Sequence, residues 1–206
     1  HRLSRVADYP SSQFAHWLWI PVFMIIETFA GANLLGSVSR GGMIEGWMVA
    51  VVLTIVNVLL GVGAGRMWRF THYDWGFVKL FAYTLGALCA AVALLWNDVA
   101  GHVRDVYVLA EKTGALEAPD AAFATAWRAM IERPLPWGSL PSAGLALVGI
   151  FVFILTAYKS YTADDPFPSY GARHRKAEVL RRRYQDDLND ELDELKSSRD
   201  TANEAI

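Results

Sequence analysis

Gly46–Gly65 reads GWMVAVVLTIVNVLLGVGAG, twenty residues without one charged side chain. A bilayer core of about 30 Å takes around 20 apolar residues of helix to cross, so this stretch reads as a membrane span. Three further stretches have the same character: Phe14–Leu35 (FAHWLWIPVFMIIETFAGANLL), Phe77–Trp96 (FVKLFAYTLGALCAAVALLW) and Leu140–Ala157 (LPSAGLALVGIFVFILTA). Trp17, Trp19, Trp47, Trp75, Trp96, Trp137 and Tyr158 stand at or near the segment ends. That is the depth at which amphipathic rings settle. The fold class expected is an all-α integral membrane protein. Its core is a four-transmembrane-helix bundle, with a helical exoplasmic loop and a cytoplasmic amphipathic C-terminal helix.

Composition agrees. Of 206 residues, 53% are hydrophobic and 19% charged, whereas soluble domains run about 45–50% and about 25%. The charge is concentrated late: residues 160–206 hold 8 of the 19 Lys/Arg and 11 of the 21 Asp/Glu. A net charge of −2 excludes a nucleic-acid binder driven by bulk charge. The lone cysteine, Cys89, excludes an intrachain disulfide framework. The first apolar run is too long for a cleavable signal peptide. A start at His1 rather than Met fits a chain that begins further upstream.

Orientation follows from the basic residues, which favour the cytoplasmic side. Arg2 and Arg5 precede the first span, Arg66, Arg69 and Lys79 join the second to the third, and Lys159, Arg173, Arg175, Lys176 and Arg181–Arg183 follow the fourth. The other side has Arg40, then Arg104, Lys112, Arg128 and Arg133 diluted among six acids. Both termini are therefore expected in the cytoplasm. Residues 1–13 form a flank, 14–158 the membrane domain with its exoplasmic loop 97–139, 159–171 a hinge, and 172–206 a cytoplasmic helix. Within the loop, DVAGHVRDVYVLAEKTG extends the third helix to Gly114. Asp120 is placed to cap a second helix that Pro134 ends. Val106, Leu109, Phe123, Trp127 and Ile131 give these helices apolar faces, so the loop is expected to fold onto the bundle.

Glu27 is the most informative residue. At helical rise it lies roughly 20 Å into the first span. Intramembrane carboxylates are costly and mark either a pathway or a polar packing contact. Gly31, one turn on, shares its face. In the second span Ala50, Thr54, Asn57, Gly61 and Gly65 form a small and polar stripe, with Asn57 placed to meet Glu27. Matching stripes are Ala82, Gly86, Ala90, Ala93 and Asn97 in the third span, where Thr84 adds a hydroxyl, and Ser142, Ala146, Gly149 and Thr156 in the fourth. Small residues let backbones approach, and amides and hydroxyls then bond across helices for about 0.6–2 kcal/mol each.

Other chemistry is thin. Asp98, His102 and Asp105 share a face, but two carboxylates and one imidazole are too few to specify a metal. Salt bridging to Arg104 or Arg128 is the simpler expectation. His16 and His72 sit at one edge and His102 beyond the other, so no paired histidines offer haem a site. GVGAGRM lacks the Lys-Ser/Thr pair of a phosphate loop, and no nucleophile elbow, zinc-protease or CxxC motif is present. No enzyme activity, cofactor or metal is expected.

Past the hinge YTADDPFPSYG, Leu180, Tyr184, Leu188, Leu192 and Leu195 recur at spacings of four and three. That is one apolar stripe of a coiled-coil-like helix, fit to bind a cytoplasmic protein partner through residues 172–206. VNVLLGVGAGR, NDVAGHVRD and YKSYTADDPFPSYG resemble a group of bacterial four-pass membrane proteins with cytoplasmic, coiled-coil-prone flanks. The resemblance implies a bacterial inner-membrane location and an architecture, and it carries no catalytic residue.

Three functions fit: a homo-oligomeric, channel-like effector in the lipid bilayer, a non-conducting scaffold or sensor that recruits a partner, and an accessory subunit of a membrane enzyme or electron-transfer complex. The environment of Glu27 discriminates the first two. A wet symmetry axis favours conduction, and a dry pairing within one subunit favours the scaffold.

Overall fold

A computed structural model describes residues 7–39, 41–114, 119–135, 137–167 and 169–204. Arg40 lies outside the described residues, as do the side chains of Pro119 and Asp120. Among the described residues all regular secondary structure is helical: α1 (Gln13–Trp17), α2 (Trp19–Gly36), α3 (Gly42–Phe70), α4 (Gly76–Thr113), α5 (Pro119–Glu132), α6 (Leu140–Thr162) and α7 (Tyr170–Glu204). Four helical stretches are long and apolar enough to cross a membrane: Gln13–Gly36, Gly42–Phe70, Gly76–Thr113 and Leu140–Thr162.

The first of these is interrupted at Leu18, where the sequence predicts one helix from Phe14. Pro21 has no N–H to give the carbonyl of Trp17, and its ring crowds that carbonyl. The ladder therefore breaks one residue further on. The α5 helix opens at Pro119, so Asp120 sits inside it rather than ahead of it. Proline suits a first turn, where its missing N–H costs nothing. Helix α6 runs on to Thr162, which takes the start of the expected hinge into helix, and α7 begins at Tyr170 rather than Ala172.

Helix α3 is the centre. It packs against α2, α4 and α6, while α5 lies on α4. The polarity is inverted relative to a soluble core. Ala32, Ala50, Ala64, Ala93 and Ala146 are buried, while Ile25, Ile26, Phe29, Leu59, Leu80 and Phe151 face outward. Small residues inside bring the helices close, as in membrane bundles. Gly65 shows how close: a Cβ there would overlap the carbonyl oxygen of Ala157 on α6.

One end of the bundle, the cap end, carries the α2–α3 turn and the far half of α4. There α4 is buried on all sides from Asn97 to Arg104. Ala122, Ala126 and Met130 of α5 pack in one cluster with Val99, Val103 and Tyr107 of α4. Gly114 ends α4 in the left-handed region, at φ 66°. The opposite end, the tail end, gathers α1, the α3–α4 turn, the end of α6 and the start of α7.

Candidate functional site

Three helices place the site. Glu27 of α2, Asn57 of α3 and Asn97 of α4 face inward at one level, beside Gly149 of α6. Asn57 Nδ2 donates to Glu27 Oε1 at 2.9 Å and to the Gly149 carbonyl at 2.5 Å. Asn97 Nδ2 donates to Asn57 Oδ1 at 3.0 Å and to the carbonyl of Ala93 at 2.8 Å. Asn57 thus uses both its donors and its acceptor, and it ties α2, α4 and α6 to α3. Gly149 is required here, because a Cβ would overlap Asn97 Oδ1 and approach Glu27 Oε1 to 3.3 Å. One turn towards the cap end, Thr28 Oγ1 donates to Thr54 Oγ1 at 3.2 Å.

Glu27 Oε2 is the network's open position: it is buried and without a hydrogen-bond partner. Glu27 lines a cavity of about 10 Å³ with Thr54, Asn97 and Ala100. That is room for about one water.

The structure places the stripe residues and Thr84 on opposite sides of the helices' surfaces. Gly31, Thr54, Gly61, Gly65, Gly86, Asn97 and Gly149 are buried, and Ala90 is half-buried against the Ala64–Phe153 cluster. Thr84, read as an intramembrane polar group of the bundle, is exposed on the outer face of α4. It stands two residues from both Ala82 and Gly86, so helical geometry turns it about 200° away from their stripe.

The cap end holds polar contacts that spacing did not reveal. Arg104 donates to the carbonyl of Leu34 at 3.1 Å and to Ser139 Oγ and Ser142 Oγ at 2.9 and 3.3 Å. These hydroxyl and carbonyl acceptors stand where the sequence led us to expect a carboxylate. Asp105 accepts from Ser142 Oγ and from the backbone N–H of Gly138. Asp98 and His102 lie 3.8 Å apart. Among the described residues, no group of three or more His, Cys, Asp or Glu side chains is placed to hold a metal ion.

A clasp at the tail end was also missed. Asp8 N–H donates to Asp165, Gln13 donates to the carbonyl of Ala163, and His16 bonds the carbonyl of Lys159. Arg175 pairs with Asp164 at 2.9 Å and stacks over Tyr9 with 4.9 Å to the ring centroid. The Asp164 carboxylate holds the Arg175 guanidinium above its ordinary pKa by hydrogen bonding to its charged form. Beyond this clasp α7 leaves the bundle, and every residue from Val179 to Asp200 is exposed. The stripe is uncovered, with Leu180 at 55%, Tyr184 at 69%, Leu188 at 43%, Leu192 at 45% and Leu195 at 67% exposure.

Fold and site together define a four-helix bundle of membrane-crossing length with an internal polar centre and a projecting helix. No protein-family model, curated protein or solved structure matches the chain.

Proposed function

We propose that the chain is a membrane-anchored scaffold of the bacterial inner membrane that recruits a helical partner through α7, with both termini in the cytoplasm. The observation that carries this reading is the apolar stripe Leu180–Leu195, presented on a helix that projects clear of the bundle. Five large apolar side chains on an exposed, highly charged helix lose contact with water when another helix covers them. The polar centre supports the same reading. Glu27, Asn57 and Asn97 bond one another between α2, α3 and α4, an arrangement that serves helix packing.

The test is reconstitution of the full chain in liposomes with Cys89 replaced by alanine. Single cysteines at Thr113 and Leu188 should react with an impermeant maleimide from opposite sides. The unmodified protein should pass no ions. Ion flux from it, or labelling of both cysteines from one side, would overturn the proposal.

A second reading, a proton or small-cation site, is favoured by the unpartnered Oε2 of Glu27 and the single-water cavity beside it. Proton relays in membranes use buried carboxylates of this kind.

A further inference from the structure

We infer that the partner of α7 is α7 of a second copy of this chain, packed antiparallel about a two-fold axis near Leu188. The inference rests on the scaffold reading and specifies its partner.

The argument begins with charge. The helix is basic in its first half, where Arg173, Arg175, Lys176 and Arg181–Arg183 lie, and acidic in its second, which reads DDLNDELDE from Asp186. Two parallel copies set Arg181–Arg183 against themselves and Asp193–Glu194 against themselves. Two antiparallel copies centred on Leu188 set each arginine run against the other copy's Asp193–Glu194, and the symmetry makes this happen twice. Like charges brought together disfavour a pairing and opposite charges favour it, which is how flanking charges choose helix orientation.

The apolar stripe is compatible with the same axis. Tyr184 and Leu192 lie four residues on either side of Leu188, so in the antiparallel pair Tyr184 meets Leu192 of the second copy and Leu188 meets its own counterpart. Arg183 and Glu194 are eleven residues apart, about three turns, so they lie on one side of the helix, and the two-fold sets Arg183 of one copy level with Asp193 and next to the level of Glu194 of the second. Self-complementarity of one surface is what a closed dimer requires.

The pairing has a geometric consequence. In one membrane the two-fold stands along the bilayer normal. Helices that stand along that axis stay parallel under it, and helices that lie in the membrane plane are reversed. An antiparallel α7 pair therefore lies along the membrane surface.

Disulfide cross-linking of the full chain in liposomes, in the Cys89→Ala background, tests this. Leu188→Cys should cross-link to itself on oxidation, to the same extent as lipid is added in excess. Tyr184→Cys and Leu192→Cys should each remain largely monomeric alone and cross-link when reconstituted together. Replacement of Arg181–Arg183 by glutamate should abolish the Leu188→Cys cross-link, and mixing with a chain carrying Asp193→Lys and Glu194→Lys should restore it. Self-cross-linking of Tyr184→Cys and of Leu192→Cys would mean a parallel pair and overturn the inference. A Leu188→Cys chain that takes maleimide freely but never cross-links overturns the inference and leaves the scaffold reading standing. A chain that neither labels nor cross-links at that position overturns both.

Discussion

Asn57 Nδ2 stands 2.9 Å from Glu27 Oε1, thirty residues away along the chain and buried between α2 and α3. The same amide reaches the Gly149 carbonyl and receives Asn97. This one side chain therefore links four helices at one level, between the Thr28–Thr54 bond and the contacts of Arg104 to Leu34 and Ser142 on one side and the close-packed small residues on the other.

Asn57→Ala should accordingly be the most damaging single truncation in the polar centre. It removes three hydrogen bonds and leaves Glu27 Oε1 and Asn97 without their partner. At about 0.6–2 kcal/mol for each interhelical bond, a loss of about 2–6 kcal/mol is expected. Thr84→Ala, on the outer face of α4, should cost under about 0.5 kcal/mol, the usual scale of an outward-facing substitution. Thermal unfolding in one detergent compares the two. Equal stability of both variants would show that the Asn57 network adds nothing to packing.

The four helices of membrane-crossing length and the meeting of Glu27 with Asn57 were legible because both rest on regular geometry. Twenty apolar residues fix a span, and a spacing of three and four fixes a face. What the sequence hid depends on contacts between distant segments. That Arg104 would bond Leu34, Ser139 and Ser142 follows from how α2 and the start of α6 approach α4, which no local spacing encodes. The same holds for the clasp of Tyr9 and Asp164 on Arg175, which joins two segments separated by all four spans. Thr84 was misplaced because its hydroxyl was weighed without its angle around the helix. Ala82 and Gly86 on the same helix already define the buried side, and Thr84 is opposite.

Close packing gives a sharper test at two neighbouring glycines of α3. A Cβ at Gly65 would overlap the backbone oxygen of Ala157, whereas one at Gly63 would meet only Cys89 Sγ at 3.5 Å, an ordinary contact. Backbone cannot rotate aside. Gly65→Ala should therefore force α3 and α6 apart at a cost of about 1–3 kcal/mol, the usual range for overpacking. Gly63→Ala should leave stability unchanged or raise it by up to about 1 kcal/mol through helix propensity. The ranking is read from thermal unfolding of the two variants side by side, and a reversed order would contradict the α3–α6 interface.

At the tail end, Asp164→Ala should free Arg175 and loosen the segment between α6 and α7. Exposed ion pairs contribute about 0–1 kcal/mol, so the bundle's melting temperature should hardly change. Cleavage by a protease between residues 163 and 169 should quicken. Gly171→Ala should act in the same direction, since a Cβ there would overlap Asp164 Oδ1. Unchanged cleavage in both variants would show that the clasp does not restrain this segment.

Glu27 separates the scaffold reading from the proton-site reading, and two substitutions are enough. Glu27→Gln keeps the shape and keeps a carbonyl oxygen to accept from Asn57. Under the scaffold reading assembly and partner binding should be retained, with stability within about 1 kcal/mol of the parent, roughly one hydrogen bond's net contribution. Glu27→Leu removes the acceptor and leaves an Asn57 donor buried without its partner. An unmade buried bond costs about 1–3 kcal/mol, so this variant should lose folded protein in proportion. The proton-site reading gives the same ranking for stability and differs only in flux. The parent would move protons across liposomes, and Glu27→Gln would fold normally yet stop that movement, because an amide cannot exchange a proton as a carboxyl does. Measuring proton flux alongside melting temperature for parent, Gln and Leu chains decides between them. Flux in the parent that vanishes in a well-folded Gln chain would replace the scaffold with a proton pathway. Absence of flux in all three, with the Leu chain alone unstable, would fix Glu27 as the polar joint between α2 and α3.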